Sequence, residues 1–172
     1  MRWLALGLVS LLATRVLAAP PPPDPLLAAL AGDWDLSGTV LGKPAHYHAS
    51  ARWVLDGAWL EFSMADLSRP PGYQAQVFIG HDPKAGDYVA HWLDRFGAAG
   101  ARVTATGHAQ GRTLVLLFPY AEGDFRDTLT LAAGGRSGTL LLESHKADGS
   151  WSTFAAYQMT RRAARAASAA AQ

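Results

Sequence analysis

The sequence carries six histidines, and His46-x-His48 has the spacing at which two metal ligands share one face of a strand, provided that a neighbouring strand supplies a third. The same alternation separates that face from Tyr47, Ala49, Ala51 and Trp53 and shares it with Ser50 and Arg52. The two histidines are therefore expected to face solvent, with no metal. His108 alternates with Arg102 and Thr104, His145 with Glu143, and His81 adjoins the turn residues Asp82-Pro83. His91 is the exception, because Val89-His91-Leu93 and Tyr88-Ala90-Trp92-Asp94 are equally able to face inward. From inside a barrel it could ligate haem iron or hydrogen-bond a ligand carboxylate. The more ordinary reading is a partly buried wall residue, and no cofactor is required. The chain has no His-Glu-x-x-His, Gly-x-Ser-x-Gly, phosphate-binding loop or dinucleotide fingerprint. Gly135-Arg136-Ser137-Gly138 reads as a turn. Glu61 and Asp94 are the mid-chain carboxylates to test as acid or base, and both are expected on the outer wall or at a strand end, so no catalytic residue is nominated.

The composition narrows the classes further. A chain of 172 residues, 49% hydrophobic and 17% charged, fits one domain. Five of its fifteen basic residues (Arg2, Arg15, Arg161, Arg162 and Arg165) lie at the ends, leaving ten against fourteen acidic ones. Such a middle does not neutralise phosphates, which argues against nucleic acid as a partner. Without cysteine there is no disulfide, thiolate metal site or cysteine nucleophile. Residues 1–18 have the form of a secretory signal: Arg2, an apolar run from Trp3 to Ala13, and Val16-Leu17-Ala18 before the expected cut near Ala18. The run falls short of the roughly 20 residues that a membrane-spanning helix needs, so the mature chain is expected to be periplasmic or secreted, with no integral span. Residues 19–25 read as a proline-rich linker and 163–172 as an alanine-rich flexible tail. Oligomeric state is not legible.

The elements that must position these side chains are nearly all strands. Asp24-Pro25 and the leucines that follow predict a short helix stopping at Gly32. About ten strand-like runs then follow, separated by turn residues such as Asp56-Gly57, Gln110-Gly111 and Asp82 to Gly86. The runs are 34–41, 46–55, 58–65, 73–80, 88–93, 101–108, 112–118, 125–131, 139–145 and 151–160. No connection is long enough for a parallel crossover. The expected fold is all-β: a closed up-and-down antiparallel barrel of about ten strands over residues 26–162, with the helix at one end. A sandwich is the alternative. Alternation turns Tyr47 and Trp53, Phe62 and Met64, Val77, Leu116 and Phe118 inward, and Tyr73, Phe125 and Tyr157 inward or to the mouths.

The segment Leu30-Ala31-Gly32-Asp33-Trp34, a helix running into Gly-x-Trp, resembles the start of a calycin barrel. Trp53-Val54-Leu55-Asp56-Gly57-x-Trp59-Leu60, Ile79-Gly80-His81-Asp82 with Gly86-x-Tyr88, and His91-Trp92-Leu93-Asp94 make the chain similar, over about 26–162, to a calycin-like bacterial family without an agreed activity. Lipocalins, fatty-acid-binding proteins and nitrobindins share that shape. The resemblance implies that a basic residue after the last strand, Arg161 or Arg162, covers Trp34 and closes the barrel. The expected function is binding of a small apolar molecule in a lumen of Tyr47, Trp53, Phe62, Met64, Val77, His91, Leu116, Phe118 and Tyr157. The alternatives are a haem barrel with His91 as ligand and an envelope module with a filled core.

Overall fold

Asp24 nucleates the first element. Its carboxylate accepts hydrogen bonds from the backbone N–H groups of Leu26 and Leu27, 3.0 and 2.9 Å away, and Pro25 at the first helical position has no donor to leave unpaired. The structure, a computed structural model, describes residues 23–163. The expected signal at 1–18, the linker through residue 22 and the tail from residue 164 lie outside the described residues. Helix α1 (Pro25–Leu30) buries Leu26, Leu27 and Leu30. Ten strands follow: β1 (Gly32–Val40), β2 (Lys43–Val54), β3 (Trp59–Asp66), β4 (Gln74–Asp82), β5 (Asp87–Asp94), β6 (Ala105–Gln110), β7 (Thr113–Phe118), β8 (Phe125–Leu131), β9 (Ser137–His145) and β10 (Trp151–Arg161).

Each strand pairs antiparallel with its successor, and β1 pairs with β10 from Trp34–Arg161 to Val40–Ala155, so the sheet closes into a barrel. Closure removes the two sheet edges that an open meander would leave exposed, and it excludes the sandwich. Burial alternates along the strands, as at Tyr47, Ala49 and Ala51 or Leu60, Phe62 and Met64. These inward side chains form one core.

One end of the barrel is sealed. The Trp34 indole N–H donates to the Leu30 carbonyl at 2.8 Å, and the Arg161 guanidinium lies over the indole, 4.3 Å from its centroid. Arg161 also donates to the carbonyls of Ala29, Ala31 and Gly135 at 2.6, 2.7 and 2.8 Å, tying α1 to the last strand and to the β8–β9 turn. Gly32, at φ 133°, is the residue that allows this approach: a Cβ there would stand 2.1 Å from an Arg161 nitrogen. Arg162 faces outward, 3.6 Å from Asp35. The opposite end is an open mouth, ringed by the β1–β2 turn and the loops at 67–73, 95–104, 119–124 and 146–150.

Strand bounds shift by up to four residues from the expected ones, and two of the differences change the connections. β6 starts at Ala105 rather than Ala101, because residues 95–104 form a loop at the mouth end containing Gly97 and Gly100, and the Ala101 carbonyl is bonded to the His91 ring. The β2–β3 connection is the four-residue loop 55–58 with φ of 51°, 56° and 83° at Leu55, Asp56 and Gly57, in place of a two-residue turn at Asp56-Gly57.

Candidate functional site

Inward positions near the sealed end are mostly aliphatic, whereas those near the mouth are mostly aromatic. The aromatic rings do not fill the mouth half. They enclose a cavity of about 560 Å³. Its walls carry Tyr47 from β2, Met64 from β3, Trp92 from β5, Phe118 from β7, Leu142 from β9 and Tyr157 from β10, with Tyr73, Phe96, Tyr120, Phe125 and Phe154 towards the rim. The rings meet edge to face, Tyr47 on Tyr157 at 5.5 Å and Phe125 on Phe154 at 5.4 Å, or stack, as Phe118 does on Tyr120 at 6.0 Å. Beneath lies a gap of about 30 Å³ between Phe62, Val77, Leu116 and Leu30.

Asp127 stands where the two spaces meet, lining both. Its place follows from strand parity: Phe125, Asp127, Leu129 and Leu131 share the inward face of β8, with Asp127 opposite Leu116 on β7 and Leu142 on β9. It is 6% exposed and is the one charged or polar residue buried among the described residues. Desolvation alone pushes its carboxyl up to about 7; no described residue hydrogen-bonds to it or sets a cation beside it. Its oxygens border the cavity, and no fully buried side-chain polar atom is left without a partner among the described residues.

A second polar group lies nearer the rim. The Tyr73 hydroxyl donates to Asp94 at 3.3 Å and accepts from the Trp92 indole N–H at 3.1 Å. Burial raises the Tyr73, Tyr120 and Tyr157 hydroxyls above the ordinary phenol value, keeping them neutral donors. Among the described residues, the ionisable carboxyls on the lining are Asp94, Glu122 and Asp127, and neither lysine nor arginine joins them.

The structure divides the expected lumen residues into four groups. Tyr47, Met64, Phe118 and Tyr157 line the cavity, while Phe62, Val77 and Leu116 line the gap beneath. Trp53 is half-buried against the core one residue before the end of β2, on the sealed side, and borders neither space. His91 must be corrected: Tyr88, Ala90 and Trp92 take the inward parity of β5, so His91 lies on the outer wall, its Nε2 2.8 Å from the Ala101 carbonyl oxygen. It reaches no ligand inside. His48 is paired with Asp35 at 2.7 Å on the exposed face, and among the described residues no group of three metal-ligating side chains forms. Sequence reasoning missed Asp127, Tyr120, Phe154 and Leu142, and left Trp92 undecided between the two faces of its strand. The signal for Asp127 was available in the alternation of Phe125, Leu129 and Leu131, which brackets it.

No protein-family model and no curated protein matches this chain. Sixteen chains of solved structures do. One is the crystal structure of Rv2717c from M. tuberculosis, similar at a TM-score of 0.56 with 13% sequence identity, covering 83% of this chain and 100% of that one. At that identity the likeness is one of fold.

Proposed function

We propose that the protein is a binding protein of the calycin-like kind, which holds a small apolar or amphipathic molecule in the mouth half of its barrel. The observation that carries this reading is the cavity of about 560 Å³, sealed below by α1 and open above. That volume lies within the roughly 300–1,000 Å³ of small-molecule sites, and its lining has their character, mostly apolar with a few placed polar groups. The signal-like form of residues 1–18 supports an exported, periplasmic setting.

The test is saturable uptake of an uncharged naphthalene dye, N-phenyl-1-naphthylamine, read as a rise in its emission. Met64 is 3% exposed and lines the cavity, so Met64→Trp should fill part of the space and weaken binding of the dye by at least about fivefold, the lower end of the roughly 1–3 kcal/mol that overfilling a packed site costs. Val89→Trp, on the outer wall, should leave uptake unchanged. Equal uptake by all three proteins would move the dye out of the lumen and reject the assignment.

A further inference from the structure

The Asp127 side chain has no partner in the barrel. It forms no cap, ion pair or hydrogen bond among the described residues, yet the residue is enclosed as deeply as the leucines beside it. A carboxylate withdrawn from water carries a large desolvation cost unless a counter-charge or donor compensates it. The groups facing it from each neighbouring element are Leu114 and Leu116 of β7, Leu140 and Leu142 of β9, Tyr157 of β10 and Trp92 of β5. The titratable ones further up the cavity are Tyr47, Tyr73, Asp94, Tyr120, Glu122 and His145. Apart from His145 at the mouth, none of these can bring a positive charge.

Three ligand chemistries fit this lining unequally. An anionic amphiphile would meet three carboxyl groups and no guanidinium or ammonium. A neutral apolar ligand would seal Asp127 from water and leave it uncompensated. An organic cation would satisfy the carboxylate and at the same time lie among ring faces, which attract positive charge. We infer that the cavity selects an amphipathic ammonium, its nitrogen held by Asp127 and its apolar body among Tyr47, Phe118, Phe125 and Tyr157. This inference rests on the lumen being the binding site.

The experiment uses three probes with one body, 4-phenylbutylamine, 4-phenylbutanol and 4-phenylbutyrate, titrated calorimetrically into the full chain. Near pH 8 the amine should bind at least about tenfold tighter than the alcohol, as a charge-assisted hydrogen bond implies, and the butyrate more weakly than either. Asp127→Asn should bring the amine down to the alcohol's affinity and leave the alcohol nearly unchanged. The amine's affinity should also fall as pH drops through about 7, where Asp127 takes up a proton, and Asp127→Asn should flatten that dependence. If the alcohol or the butyrate matches or exceeds the amine on the wild-type chain, or the amine's advantage survives Asp127→Asn, the ammonium inference is overturned while the lumen remains the site. If the dye is taken up but none of the probes binds, the ammonium inference alone falls; if neither the dye nor any probe binds, both readings fall. The wild-type comparison decides the matter even where the variant does not fold.

Discussion

At the scale of single residues, Asp127 makes the fold sensitive to pH. Burial raises its carboxyl from 3.8 to about 7 in the folded chain, so between those values the folded protein keeps a proton that the unfolded chain releases. The unfolded state then binds fewer protons, and stability falls as pH rises across that window. Above about 7 both states are ionised and the full cost of burying the charge remains, on the order of 4 kcal/mol at 1.36 kcal/mol per unit. Asp127→Asn should therefore stabilise the unliganded protein by up to a few kcal/mol near pH 8 and hardly at all near pH 4. Urea melts at the two pH values check this, and a uniform effect at both would contradict it. The same residue marks where reading from sequence stopped. Phe125, Leu129 and Leu131 alternate as an inward face, and that alternation obliges Asp127 to point inward too, although the sequence reading followed only the apolar members. His91 failed for the opposite reason, since Val89 and Leu93 are as apolar as Ala90 and Trp92, and only the three-dimensional register separates the two faces.

At the scale of elements, α1 is too short to persist alone, because six residues give fewer than two helical turns. It is held by the barrel through Arg161, which satisfies carbonyls at the helix end, at Ala31 and in the β8–β9 turn. Arg161→Ala would leave those three acceptors without a donor and uncover Trp34, and the expected loss is about 3 kcal/mol, the cost of several unpaired groups. Arg162→Ala, one residue on and exposed, should stay within about 0.5 kcal/mol. Chemical denaturation of the two variants side by side checks the contrast, and equal losses would refute the clamp. The helix, ten strands and their order were readable because caps, turn residues and alternation all act locally. The start of β6 was not, since residues 101–104 have strand-like composition and only the three-dimensional packing decides that they run as a loop, with the Ala101 carbonyl held by the His91 ring.

For the molecule as a whole, the barrel is not equally joined around its circumference. β1 pairs with β2 from Gly32–Ala51 to Val40–Lys43, and β4 with β5 from Ala75–Asp94 to Asp82–Asp87. Between β5 and β6 the ladder runs only from Tyr88–Gly107 to Ala90–Ala105. Towards the mouth that seam is covered by the loop 95–104, attached through the His91 ring to the Ala101 carbonyl and beginning at Arg95-Phe96, where Phe96 is 74% exposed while bordering the cavity. Opening there breaks the fewest backbone hydrogen bonds and uncovers the side of the cavity, so local unfolding should begin at this seam and not at the tightly laddered β1–β10 closure. Hydrogen exchange should show the β6 amides that face β5, within Ala105 to Gly107, losing protection ahead of those in β1, β2 and β10. His91→Ala, by releasing the loop, should speed exchange in β6 while leaving β1 unaffected. Exchange that proceeds evenly around the barrel, or that starts at β1 and β10, would show that the short ladder is not its point of opening.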